Sequence, residues 1–209
     1  MRFFKYDIRT NTFFKKGLPR LDDRFGVYFV TGRQGSGKTY YAIYLALQQV
    51  NFNAELVTIY TNIHSLKIPN SNIKYFTTID EIYFNTDEHC IFIIDEISRK
   101  FDKTSKTDKQ FYAFLNQCRK MRRICILITQ EWRELPMWIR RPAKFMITTR
   151  KTKILYLFGF YTSVVGDAEN MVFDKDESEY ICPPLKYIIY KRNKVIADMY
   201  DTFEPINSL

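Results

Sequence analysis

The segment VYFVTGRQGSGKTYYAIYLAL, Val27 to Leu47, runs from an apolar strand pattern through a glycine-rich turn into an apolar helix pattern. Its turn reads Gly32, four residues, then Gly37, Lys38 and Thr39. In a loop of this pattern the backbone N–H groups converge on phosphate oxygens, and the glycines allow dihedrals and a close approach that a Cβ would block. The helix that follows presents its positive end to the same anion. Lys38 is expected to reach the β and γ phosphates of a nucleoside triphosphate, and Thr39 to give its hydroxyl to Mg²⁺. A strand at 27–31 and a helix at about 37–50 give the motif the context it needs.

Asp95 and Glu96 close the apolar run CIFII. The aspartate fits the Mg²⁺ shell, and the glutamate beside it fits a base that polarises an attacking water. The bland alternative is a pair of carboxylates opening a helix, where they suit its dipole. Gln130 stands at the tip of a second buried run, CILIT, placed to contact a γ-phosphate or its water. Arginines flank that run: Arg119, Arg122 and Arg123 before it, and Arg133, Arg140 and Arg141 after it. One of them is a candidate arginine finger for a neighbour's site, while a solvated face or contacts to DNA account for most.

The rest of the chain frames this site. Residues 1–25 are basic and read as an arm, and residues 26–209 as one ATPase-type domain with a β-rich extension from about 150. ELVTIYT is a strand, TTIDEIYF a short helix capped by Thr78, and CIFIID a central parallel strand. Lys100 to Lys109 is a loop and QFYAFLNQCRKMRR a helix. KFMITTR, ILYLFGF, KYIIY and KVIADMY are strand candidates. Helices alternating with strands early, then strands late, predict an α/β fold with a mainly parallel sheet and an antiparallel C-terminal extension.

Charge and cysteines narrow the setting. From Arg99 to Lys153 sixteen basic residues face four acids, a net +12 against +9 for the whole chain. Such a cluster predicts contacts to a phosphate backbone without reading bases. Cys90, Cys118, Cys125 and Cys182 form no CxxC pair, and Cys90 and Cys125 open apolar runs, as buried free thiols of a reducing cytoplasm do. The N-terminus lacks the apolar core and cleavage site of a signal peptide. The uncharged, largely apolar stretch from Ile154 to Gly166 is shorter than the roughly 20 residues of a membrane span.

With these residues assembled, VYFVTGRQGSGKT, CIFIIDE, FLNQCRK, CILITQE and IRRPAKFM resemble, in order and spacing, the Zot-like ATPases, a branch of the FtsK/HerA class of DNA-pumping motors. The similarity runs from about Val27 to Lys153. It implies a RecA/FtsK-like ASCE P-loop NTPase. It also implies ATP held by Gly32, Gly35, Ser36, Gly37, Lys38, Thr39 and Tyr40. Asp95 and Glu96 then serve Mg²⁺ and water, Gln130 acts as sensor, and Arg119 and Arg140 match family arginines. The implied partners are DNA, a homo-oligomeric ring and an assembly partner at a membrane or virion vertex. Zot-like proteins usually continue into a membrane span and an external domain, and these 209 residues contain no such span. Extrusion of DNA through an envelope and packaging into a capsid therefore both fit the resemblance. A small-molecule kinase and a nucleotide-dependent scaffold docking through ILYLFGFYTSVVG are the competing classes. The kinase needs neither the Asp-Glu pair nor the strand-tip glutamine.

Overall fold

The apolar runs at Gly26–Thr31, Ile124–Thr129 and Ile91–Ile94 lie side by side, every residue buried. The computed structural model describes residues 4–7, 12–15, 25–52, 57–102, 104–151, 159–174 and 179–201. Its strands in chain order are β1 (Phe4–Asp7), β2 (Thr12–Lys15), β3 (Gly26–Thr31), β4 (Val57–Thr61), β5 (Ser71–Tyr75), β6 (Ile91–Ile94) and β7 (Ile124–Thr129). They continue with β8 (Ala143–Arg150), β9 (Phe160–Asp167), β10 (Val172–Asp174), β11 (Glu179–Ile181) and β12 (Pro184–Lys191). The helices are α1 (Lys38–Phe52), α2 (Lys109–Gln117), α3 (Met137–Arg140) and α4 (Lys194–Ala197).

Ten strands form one sheet in the order β1-β2-β12-β9-β8-β3-β7-β6-β4-β5, with β10 and β11 pairing separately. From β8 through β5 all pairings are parallel, and from β8 back to β1 they are antiparallel. The expected parallel centre and antiparallel extension are both present. Residues 1–25, read as an arm, contribute β1 and β2 to the far edge of the same sheet.

Why the central runs are apolar throughout follows from burial on both faces. Tyr28 and Val30 of β3 pack with α1 on one face, whereas Val27 and Phe29 pack with α2 and Trp132 on the other. Successive side chains of a strand point to opposite faces, so a strand covered twice has no polar side to spare. Asp108 starts α2 by accepting the backbone N–H groups of Gln110 and Phe111, both at 3.0 Å.

Several expectations need correction. KVIADMY is not a strand: Asn193 accepts the Val195 N–H at 2.9 Å and caps α4. Ile196 and Met199, three residues apart, then turn their side chains into the core beside α1. TTIDEIYF does start a short helix, of 3-10 type over Ile79–Ile82, with Thr78 as its N-cap. In ILYLFGF, residues 154–158 lie outside the described residues, and β9 begins at Phe160. The polar edge strand β5 and the β10–β11 hairpin were not anticipated.

Candidate nucleotide site

Strand order decides which residues can meet. β7 lies between β3 and β6, so Gln130 at the end of β7 stands between the loop after β3 and Asp95 after β6. All three leave the carboxyl ends of parallel strands, where open α/β sheets form their ligand crevices.

The loop needs its glycines. Gly32 has φ +146°, and a Cβ there would fall 2.5 Å from the Thr149 carbonyl oxygen and 2.7 Å from Ser36 Oγ. Gly37, at φ +90°, rests on the Tyr161 ring, which a Cβ would approach to 3.2 Å. Gly35 also has positive φ, at +70°. The Lys38 ammonium donates to the Arg33 carbonyl at 3.3 Å, curling back over the loop. Burial pulls its pKa below the ordinary lysine value, opposed by the nearby Asp95 and Glu96 carboxylates. α1 begins directly behind, with Tyr41 N–H donating to the Gly37 carbonyl at 2.9 Å.

Asp95 is joined to the loop. The Thr39 hydroxyl donates to Asp95 Oδ2 at 3.0 Å, and the Glu96 N–H donates to Oδ1 at 2.9 Å. Desolvation raises the Asp95 pKa to about 6, only partly offset by these two donors. Asn62, at the end of β4, holds the same residue by its backbone: its Nδ2 donates to the Asp95 carbonyl at 3.0 Å, and its Oδ1 accepts the Asp95 N–H at 2.8 Å. Glu96 occupies the left-handed region, φ 52° and ψ 46°, and its carboxylate pairs with Arg99. A non-glycine residue in that region is sparsely populated and costs on the order of 1–3 kcal/mol, which its surroundings must hold in place.

Of the other expected residues, Gln130 is exposed at its strand tip, and its carbonyl accepts the Gly32 N–H at 3.3 Å and the Thr31 hydroxyl at 3.1 Å. Ser36 turns its hydroxyl inward, 2.7 Å from Thr149 Oγ1. Tyr40 buries its ring against Tyr161 and Tyr190 while its hydroxyl accepts the Asn193 N–H at 2.8 Å, which leaves its backbone as the part nearest the loop. The loop, Asp95, Glu96 and Gln130 are thus brought together.

Of the candidate arginines, Arg133 lines a cleft with Gln130, whereas Arg119, Arg123 and Arg140 pack against partners outside the loop. Arg119 is in the turn after α2, 3.8 Å from Glu169. Arg140 is buried in α3 over the Trp132 ring. Arg123, grouped by sequence with candidate phosphate contacts, is 1% exposed and bonds the Asp87 and Asn85 carbonyls at 2.7 and 2.6 Å. Its guanidinium packs against both the Phe92 and Phe114 rings, which touch each other edge to face, so it anchors a loop and meets no external phosphate. Beside the phosphate loop a cleft of about 1050 Å³ is lined by Arg33, Gln130, Arg133, Arg150 and Lys151, among others.

A family model described as zonular occludens toxin (Zot) matches residues 26–192. The chain belongs to the zonular occludens toxin family. This Zot-family chain is similar in structure to the N-terminal domain of zonular occludens toxin from Neisseria meningitidis, at 20% identity and TM-score 0.57, covering 84% of this chain and 98% of that one. It is also similar to the genome packaging NTPase B204 of Sulfolobus turreted icosahedral virus 2, solved in complex with AMPPCP. There the identity is 13% and the TM-score 0.54, over 81% of this chain and 99% of that one. The same NTPase in complex with ATP-gammaS aligns at TM-score 0.53 and 13% identity, over 80% and 97% of the two chains. No curated protein sequence matches the chain. The fold of this Zot-family chain is that of P-loop NTPases. Among the described residues no helix is long and apolar enough to cross a membrane.

Proposed function

We propose that this chain is a phage or viral ATPase that couples ATP hydrolysis to DNA movement during virion morphogenesis. The observation that carries the hydrolytic reading is the Thr39–Asp95 hydrogen bond, which joins the phosphate loop to the carboxylate at the end of the second strand over. A hydroxyl and a carboxylate in contact are the two hard oxygen donors that Mg²⁺ takes from a protein when phosphates and water complete its shell. They fit the ion, and the raised Asp95 pKa gives a buried carboxylate that a cation would relieve. When bound, Mg²⁺ would neutralise charge on the phosphate oxygens.

The chain's own residues supply the rest. Loop N–H groups and Lys38 hold the β and γ phosphates, and the helix behind them adds its dipole. Glu96, once exchanged from Arg99, takes a proton from the attacking water, and Gln130 orients that water or the γ-phosphate. Family membership and the packaging NTPases that share the fold support a role in moving nucleic acid. We extend this reading to a homo-oligomeric ring working in the host cytoplasm, peripheral at a membrane or virion vertex.

Phosphate release from ATP, with Mg²⁺ present, tests the hydrolytic step. Wild type should turn over, Lys38→Ala should lose binding, and Glu96→Gln should bind ATP without hydrolysing it. Normal turnover by Glu96→Gln would remove it as the base, and transfer of the phosphoryl group to a nucleoside would replace the ATPase by a kinase.

A further inference from the structure

We infer that Lys151 is a second phosphate-contacting cation of the nucleotide site, approaching the loop from β8 while Lys38 approaches it from α1. The inference rests on the nucleotide reading above and adds a residue that the motif does not contain. Lys151 follows directly after β8, the strand paired with β3 on the side away from Asp95. At Gly35, the middle glycine of the loop, a Cβ would have the Lys151 ammonium 3.9 Å away, and among the described residues no other atom outside the adjoining chain comes within 4 Å.

The placement is built. Thr31 and Thr148 are in register between β3 and β8, and the Thr149 hydroxyl donates to the Thr31 carbonyl at 3.1 Å. Its oxygen lies 2.7 Å from Ser36 Oγ, inside the loop itself. The end of β8 is therefore fixed to both the start and the middle of the loop, and the residue two positions on emerges at the loop's rim. Lys151 also lines the cleft to which Gly32, Arg33, Gln34 and Ser36 of the loop contribute.

Charge gives the placement a purpose. A bound triphosphate carries more negative charge than one divalent cation and one lysine neutralise. Lys38 also faces Asp95 and Glu96, which draw on the same positive charge. A lysine acts on phosphate as a mobile point charge and needs no fixed fork geometry, so an exposed ammonium over the loop suffices. Its exposure also means that Lys151 can be changed without disturbing the core.

Binding of ATP and AMP to wild type, Lys151→Ala, Lys151→Arg and Lys38→Ala, measured by competition with a fluorescent ATP analogue, tests this. Lys151→Ala should weaken ATP by about tenfold, the scale of one charge-assisted contact. AMP should be affected less, Lys151→Arg should restore most of the loss, and the deficit should shrink as salt screens the charge. ATP affinity unchanged in Lys151→Ala, or a loss that Lys151→Arg leaves uncorrected, overturns the inference. If Lys38→Ala abolishes binding while Lys151→Ala binds ATP as wild type does, only the assignment of Lys151 falls. If wild type binds no ATP, the nucleotide reading falls and takes this inference with it.

Discussion

At Asp95 the fold holds a carboxylate away from water, and stability must respond to pH. Burial raises its pKa from 3.8 to about 6, so the folded chain binds this proton more tightly than the unfolded chain does. The contribution is complete below about pH 4 and is lost as pH rises through 6. Ionisation then costs the nucleotide-free fold up to about 3 kcal/mol. Asp95→Asn should remove this cost, raising Tm at pH 7.5 by several degrees while changing it little at pH 4.5. Equal Tm differences at the two pH values would contradict the assignment. The same variant should lose hydrolysis. At this scale the site was partly legible. Gly32 to Thr39 announced itself because the loop is contiguous and its glycines are needed locally. Asn62 and Thr149 carry no such signal: their partners lie 33 and 113 residues away, and an isolated Asn or Thr in a strand is ordinary.

Elements carry a different lesson. The runs of β3, β6 and β7 were readable because strands buried on both faces leave no polar positions, and the helices because their apolar spacing is long enough to show a period. KVIADMY was too short for that, and the Asn193 cap decided in favour of a helix. The arginines before β7 were misjudged as a group. Helix α2 ends at Gln117, and the turn beyond it exposes Arg122 while burying Arg123 against two rings. Burial of a guanidinium depends on carbonyls from residues 85 and 87, which no local pattern reveals. Arg123→Ala should leave those carbonyls unpaired and a cavity beside Phe92 and Phe114, costing about 3 kcal/mol. That corresponds to a Tm lower by roughly 10 °C in a chain of this size. Arg122→Ala should leave Tm unchanged, and similar losses for the two would show that the turn, not the buried guanidinium, matters.

Across the whole molecule, the positive stretch from Arg99 to Lys153 is less of a surface feature than its net +12 suggested, because Arg123, Arg140 and Lys144 are buried. The remaining cations still outnumber the acids, and Arg33, Arg133, Arg150 and Lys151 gather at the cleft beside the phosphate loop. Contacts of this kind to a phosphate backbone weaken steeply with salt. The antiparallel extension is more than an appendage, since Tyr161 of β9 supports Gly37 and Asn193 holds Tyr40. The most direct measurement is the steady-state rate of ATP hydrolysis with and without DNA at low and moderate salt. The account predicts a Mg²⁺-dependent rate that rises severalfold with DNA of unrelated sequences and loses that stimulation as salt increases. A rate indifferent to DNA at every salt concentration would contradict it.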